Sequence, residues 1–335
     1  MATIPELQKT TIRAIEQAVE ARAESGFREH LGASLIGRPC ERELWYSFRW
    51  CTLVKHEGRL LRLFARGQRE EAVFCELLRS AGVEVHEHDE NGRQFRFGAI
   101  GGHFGGSCDA AAVGFVEAPK TWHVVEMKTH NDKSFKALLS KGVQESKPEH
   151  YAQMQVYMLL SGMERAYYMA VNKNDDSLYG ERVRFDRKFA DSLVEKAERI
   201  ICSDAPRHRL SEDPSWYQCK FCDHHALCHA TAAPLPNCRT CAHATPARDG
   251  TWVCERHHKV LSKDEQLAGC QAHRFIPALL DRFAEPTDAN EEDNWIAYRN
   301  TLTGEQFVNG ADGLSSEAIH DTLDKRLLGA KENAA

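Results

Sequence analysis

Seven of the chain's twelve cysteines fall between Cys219 and Cys270, and in 335 residues no feature limits the possible folds more. A polar stretch this poor in apolar side chains cannot build a core of its own, so its cysteines are expected to be tied together by disulfides or by a metal. The opening MATIPELQKTTIRAIEQAVEARAESG is charged and helix-like, with no apolar run ahead of a small-residue cleavage site, which predicts a cytoplasmic chain that is not secreted. Thiols stay reduced there, and metal or cluster ligation takes precedence over disulfides. WYQCKFCDHHALC holds Cys219, Cys222 and Cys228 as C-x2-C-x5-C. Two thiolates three residues apart chelate one centre and the third closes the loop, so one ligand must come from elsewhere. Spacing does not distinguish a four-thiolate zinc site from an iron-sulfur cluster. Cys238, Cys241, Cys254 and Cys270 form a second set with one tight C-x2-C knuckle, read as a small zinc site, with His243, His257 and His258 inside it as alternative ligands. Cys51, Cys75, Cys108 and Cys202 lack knuckle partners and are expected to be small core or boundary residues.

Lys plus Arg number 43 against 49 Asp plus Glu, a net charge of -6, so contact with nucleic acid needs a local basic surface rather than a global field. A mean hydropathy of -0.51 and the absence of a long apolar run exclude a membrane-spanning class. Along the chain, Ile12, Ile15 and Val19 predict a helix over 9–24 that Gly26 can end. Pro39 and Cys40 open a short helix, and the stripe Leu63, Phe64, Val73, Phe74, Leu77, Leu78 predicts a longer one from Leu60 to Ala81. The runs VEVHEH, QFRFGAI, CDAAAVGFV and WHVVEMKT read as strands between turn signals. A helix over 149–162, strands in RAYYMAVNK and RVRFD, and a helix to about Ile201 complete an α/β core. A hairpin in NWIAYRNTLTGEQFVNG and a charged, flexible tail follow the cysteine-rich part.

Val124 and Val125 put Glu126-Met127-Lys128 on a buried strand, where alternate residues share a face, so the Glu126 carboxylate and the Lys128 ammonium project together. If Asp109 ends a neighbouring strand, two carboxylates converge on room for a hard divalent cation, with a lysine beside it to orient or help deprotonate a water. Gln153 and Tyr157 lie one helical turn apart on a common face, where an amide and a phenol can contact a nucleic-acid backbone or brace Lys128.

GGHFGGSCD ahead of Asp109, the Glu126-x-Lys128 strand, the Gln153-x-x-x-Tyr157 helix and an upstream helix in which Gly67 precedes Glu71 occur in an order that resembles the PD-(D/E)xK nuclease superfamily, in its RecB-like branch with the phage exonucleases. The resemblance spans roughly residues 30 to 230, and Ser107 and Cys108 stand where the superfamily name has its proline. It implies a restriction-endonuclease-like mixed sheet flanked by helices and a magnesium- or manganese-dependent deoxyribonuclease, an exonuclease acting in recombination, repair or end processing. Asp109, Glu126, Glu71 (or its neighbour Glu70) and the Met127 carbonyl would hold the metal, Lys128 would position the water, and Gln153 with Tyr157 would guide the DNA. IGRPCERELWYSF resembles the remote first cysteine of the iron-sulfur members, which implies a 4Fe-4S cluster on Cys40, Cys219, Cys222 and Cys228 that clips the two ends of the nuclease domain together. The domain division expected is 1–232 for the nuclease with its cluster, 233–280 for a C-terminal cysteine-rich zinc-binding module that also recruits recombination or replication proteins, and 281–335 for the hairpin and tail. The competing reading is a non-catalytic nucleic-acid or partner-binding module on the same fold. A redox protein is weaker still, since no GxGxxG fingerprint accompanies the cysteines.

Overall fold

The computed structural model describes residues 5–23, 26–230 and 232–322, and within them every expected strand and helix of the α/β core is present. Helix α1 (Pro5–Arg22) starts earlier than its apolar spacing implied, and residues 24–25, where the expected helix ends, lie outside the described residues. A two-residue strand β1 (Leu31–Gly32) leads to helix α2 (Glu41–Phe48), which begins directly after Cys40 and buries Leu44, Trp45 and Phe48. Helix α3 (Gly58–Ser80) follows, and Gly82, at φ 85°, turns the chain out of it into strand β2 (Glu84–His86).

Strands β3 (Arg96–Ala99), β4 (Phe104–Ser107), β5 (Ala110–Val113) and β6 (His123–His130) come next. Then come helices α4 (Asp132–Ser146) and α5 (Pro148–Ser161), strands β7 (Arg165–Asn172) and β8 (Leu178–Arg184), and helix α6 (Arg187–Ile201). The main sheet has the order β2-β5-β6-β7-β8. Only β6 and β7 run parallel, from Val124 opposite Ala166 to His130 opposite Asn172, and α4 and α5 form the crossover that a parallel pair requires. Helix α4 was not foreseen. Its N-terminus is capped by the Asn131 side chain on the Ser134 N–H, and Gly142, at φ 69°, breaks the apolar period that would have announced it.

Alternation along the strands sends Val125, Met127, Met169 and Val171 toward Phe74, Cys75 and Leu78 of α3. Val124, Ala166, Tyr168 and Ala170 face the other way, into the larger core with Leu138, Met154 and Val156 of α4 and α5. Glu126 and Lys128 are in phase with this second set. A smaller sheet, β1-β4-β3, carries the glycine-rich approach to Asp109. The glycines are there for space: a Cβ on Gly105 would lie 2.2 Å from the Phe97 carbonyl oxygen, and one on Gly106 2.6 Å from the Tyr157 hydroxyl.

Beyond α6, helices α7 (Tyr217–Lys220) and α8 (His225–His229) carry the first cysteine group. Strands β9 (Ala244–Pro246), β10 (Trp252–Cys254) and β11 (Lys259–Leu261), with helix α9 (Lys263–Ala268), carry the second. This cysteine-rich part does not stand apart, because the larger core runs without a break from Trp45 and Phe48 through Cys238, Cys241, Trp252 and Phe275. Arg239, 2% exposed, is the bolt. Its guanidinium lies 3.6 Å from the Trp50 ring centre and 4.6 Å from that of Trp252, and it donates to the Phe48 carbonyl at 2.9 Å and to Gln266 at 2.8 Å. Arg49 crosses in the opposite sense to donate to the carbonyls of Arg239 and Ala244.

The expected hairpin is present as β13 (Trp295–Asn300) and β14 (Gln306–Asn309), and β12 (Ala284–Asn290) adds a third strand to it. Where a flexible tail was expected, the chain forms a helix over 316–322 with Ser316 and Ile319 buried, while residues 323–335 lie outside those described. Among the described residues, no helix is long and apolar enough to cross a membrane.

Candidate active site

Asp109 sits in the turn between β4 and β5, and the register Ala110 opposite Val125 brings it beside Glu126. Its Oδ2 accepts the Met127 N–H at 2.7 Å, which locks the carboxylate against the β6 backbone. Lys128 Nζ pairs with Glu126 Oε1, lies 3.8 Å from Asp109 Oδ2 and donates to the Met127 carbonyl at 3.1 Å. The expected trio of Asp109, Glu126 and Lys128 is therefore brought together.

Glu126 is fully buried, and its Oε2 has no hydrogen-bond partner. An orphaned carboxylate oxygen is costly, and its affinity for the proton rises accordingly: burial pushes the Glu126 carboxyl well above the ordinary range, and Lys128 only partly opposes this. The Lys128 ammonium is itself pushed up, because Glu126 and Asp109 beside it outweigh the burial that disfavours its charge. Lys128 thus remains a cation at neutral pH, able to donate to a water or a phosphate oxygen and poorly suited to take a proton.

Glu71 projects from α3 into a cavity of about 390 Å³ that Met127, Lys128, Thr129 and Lys173 also line. Burial, reinforced by the charge of Asp109, raises its carboxyl to about 6. Glu70, one position back on the helix, is not among the lining residues. On the other side of the site, Gln153 and Tyr157 are both buried, and the Gln153 amide donates to the Tyr157 hydroxyl at 3.3 Å. Burial raises the Tyr157 phenol, so it stays a neutral donor. Both border a cavity of about 330 Å³ whose wall includes Arg28, His30, Ser34, Arg96 and Ser107.

Lys173, Arg28 and Arg96 were missed from the sequence, as was His130. His130 continues the alternation begun by Glu126 and Lys128, and that period would have found it. Its Nε2 and the Nδ1 of His150 each lie 2.8 Å from the Tyr168 hydroxyl. A hydroxyl donates only once, so at least one of the two rings must donate to it. Burial lowers His130 to about 4 and His150 to about 3, keeping both rings neutral behind the lysine.

The twelve cysteines are free. Cys40, Cys219, Cys222 and Cys228, separated by up to the length of the α/β core, line one cavity of about 600 Å³. Cys238, Cys241, Cys254 and Cys270 line another, with His257 Nε2 3.7 Å from Cys270 Sγ. Burial pushes the Cys222 and Cys238 thiols up to about 12. Among the described residues, no group of three or more His, Cys, Asp or Glu is drawn in closely enough to hold a metal ion.

No family model matches the chain, and no curated protein matches it. Solved structures that it is similar to include SSO0001, at 14% identity and a TM-score of 0.39 over 67% of this chain and 96% of that one. An alkaline exonuclease, LHK-Exo, from Laribacter hongkongensis matches at 16% identity and a TM-score of 0.38, over 56% of this chain and 90% of that one. A phage-related exonuclease from Haemophilus somnus 129PT matches at 16% identity and a TM-score of 0.29, over 40% and 66% respectively. The chemistry of the site is read from its own side chains.

Proposed function

We propose that the chain is a divalent-metal-dependent deoxyribonuclease, acting as an exonuclease in recombination, repair or end processing. The observation that carries this reading is the convergence of Asp109, Glu126 and Lys128, with Glu71 lining one cavity with Lys128 and one buried Glu126 oxygen left without a partner. Hard oxygen donors of this kind suit magnesium or manganese, and Asp109, Glu126, Glu71 and the Met127 carbonyl would hold it. When bound, such an ion neutralises charge on a phosphate and acidifies water.

The residues of the chain do the rest. Lys128, kept cationic by its two carboxylate neighbours, orients the attacking water and stabilises the charge that gathers on the phosphate oxygens as the new P–O bond forms and the old one breaks. Gln153 and Tyr157, with Arg28 and Arg96 across the cavity they share, hold the strand by its backbone. The acidic net charge is no obstacle, because these cations are local to the site.

We also propose that Cys40, Cys219, Cys222 and Cys228 hold a 4Fe-4S cluster that clips residues 1–232 into one unit, and that Cys238, Cys241, Cys254 and Cys270, within 233–280, hold zinc. Each set lines a single cavity, which supports its acting together, and the clustering of thiols suits soft metals. The C-terminal hairpin, with β12 beside it, packs into the same larger core through Ala284, Ile296 and Tyr298.

The test is cleavage of labelled DNA with magnesium and with EDTA, by the wild type and by Lys128→Ala. Magnesium-dependent cleavage that the variant lacks is expected, and undiminished cleavage by the variant removes this site. Metal analysis and the visible spectrum of anaerobically purified protein test the cysteines: iron with a band near about 400 nm supports the cluster, and a colourless, zinc-only sample removes it.

A further inference from the structure

Among the described residues, the Phe, Trp and Tyr side chains that stand open to solvent are Phe64, Trp122, Trp216, Tyr217 and Phe221; three of these five fall between residues 216 and 221, and Phe64 and Phe221 line one cavity. Trp216 and Tyr217 precede Gln218 and Cys219, which line it too. Phe221 is 79% exposed and Tyr217 60%, an arrangement that a chain folding for itself alone would bury. Trp216 and Tyr217 present their rings 5.2 Å apart, and Lys220 reaches over Phe221 at 5.9 Å.

Two further facts say what these rings await. Phe64 also lines the cavity that holds Glu71 and Lys128, and Arg28 is shared with the cavity of Gln153 and Tyr157, so the cavity behind Phe221 adjoins the candidate active site through one ring and one guanidinium. Lys220 lies over Phe221, and the cavity wall carries Arg28, Arg38 and Arg42 alongside Glu43, Glu149 and Asp223, with Arg38 paired to Glu43 and 3.7 Å from Glu149, which leaves Arg28 and Lys220 as the exposed cations of this set without a carboxylate partner among the described residues. Rings next to a phosphate-hydrolysing cleft, with cations beside them, fit unpaired bases and their phosphates. A duplex keeps the faces of its bases stacked inside and has nothing to offer the rings.

We infer that Trp216, Tyr217 and Phe221, with Phe64 at the threshold, form a stacking platform for single-stranded DNA that feeds the carboxylate site. This rests on the nuclease reading and adds the substrate class: an unpaired strand or the unpaired end of a duplex. The first cysteine group then has a second use, since the loop it would pin is the loop that presents the rings.

The test is equilibrium binding of fluorescent oligo(dT) and of a blunt duplex, without added divalent metal, to the wild type and to a variant carrying Trp216→Ala, Tyr217→Ala and Phe221→Ala. The variant is expected to lose at least about tenfold in affinity for oligo(dT) and to change by less than about twofold on the duplex. Equal affinity of the two proteins for oligo(dT), an equal loss on both probes, or no binding of oligo(dT) by the wild type overturns the platform. Should the triple variant lose its thermal transition, Phe221→Ala at the most exposed ring carries the same comparison. Cleavage by the wild type in magnesium is scored separately, so a protein that binds oligo(dT) through the rings but cleaves nothing disproves the nuclease reading and leaves the platform standing.

Discussion

Lys128 is held as a cation between two carboxylates, and Glu71 titrates near neutrality, so the protonation state of the site is coupled to whatever cation enters it. The sign follows from the direction of the shifts. Glu71, raised from 4.5 to about 6, keeps a proton through that window in the folded chain when the unfolded chain has released it. Folding of the metal-free protein is therefore favoured below pH 4.5 by this group, and that contribution is lost as pH rises to about 6. Cation binding runs the other way, since the metal must displace the proton. Magnesium affinity measured by calorimetry should climb between pH 5 and 7, by roughly tenfold per pH unit for each proton displaced, and Glu71→Gln should flatten the climb. A profile of the same slope in Glu71→Gln removes Glu71 from the metal site.

Helix α5 and strand β4 are matched at one contact, where the Tyr157 hydroxyl comes to rest against Gly106. Any side chain there would push α5 away from the sheet and carry Gln153 with it. Gly106→Val should cost about 2 kcal/mol by urea unfolding, with a larger proportional loss in kcat than in expression of folded protein. If kcat and stability both stay at wild-type values, the packing of α5 against β4 does not set the site. Elements of this core were readable where their period is regular: α5 over 149–162 and β6 by its apolar run. Helix α3 was found as well, but of its expected stripe only Phe74 and Leu78 are buried while Phe64, Val73 and Leu77 stand exposed. Helix α4 was not, because Gly142 interrupts it, and β12 was not, because AEPTDAN carries a proline and no alternation. Glu70 and Glu71 looked alike as neighbours in a charge run, and only the packing of α3 on the sheet separates them.

The cysteine-rich part and the α/β core share one hydrophobic interior, and two buried arginines with no carboxylate bonded to them join the two. Burial, with Arg49 alongside, lowers Arg239 to about 9, so it stays charged at neutral pH at a cost that the faces of Trp50, Trp252 and Phe48 offset. Arg239→Ala should destabilise the whole chain by about 3 kcal/mol in chemical denaturation, through lost packing as well as lost donors, while Arg239→Met should lose less. A single transition in both variants is expected. Two separate transitions in the wild type would show the cysteine-rich part unfolding alone and overturn the shared core. Spacing along 335 residues already named Asp109, Glu126, Lys128, the knuckle cysteines Cys219, Cys222 and Cys228 and the set Cys238, Cys241, Cys254 and Cys270, because a period of 2 and a C-x2-C knuckle are local facts that need no partner, while Cys40 and the Gln153-Tyr157 helix came from the order of motifs. Which glutamate faces the cleft, why Gly105 and Gly106 are glycines, how Arg239 bolts the halves together and how Phe64 and Phe221 come to line one cavity all depend on contacts between residues far apart in the chain. Those contacts are set by volume and burial once the sheet closes, and no local pattern encodes them.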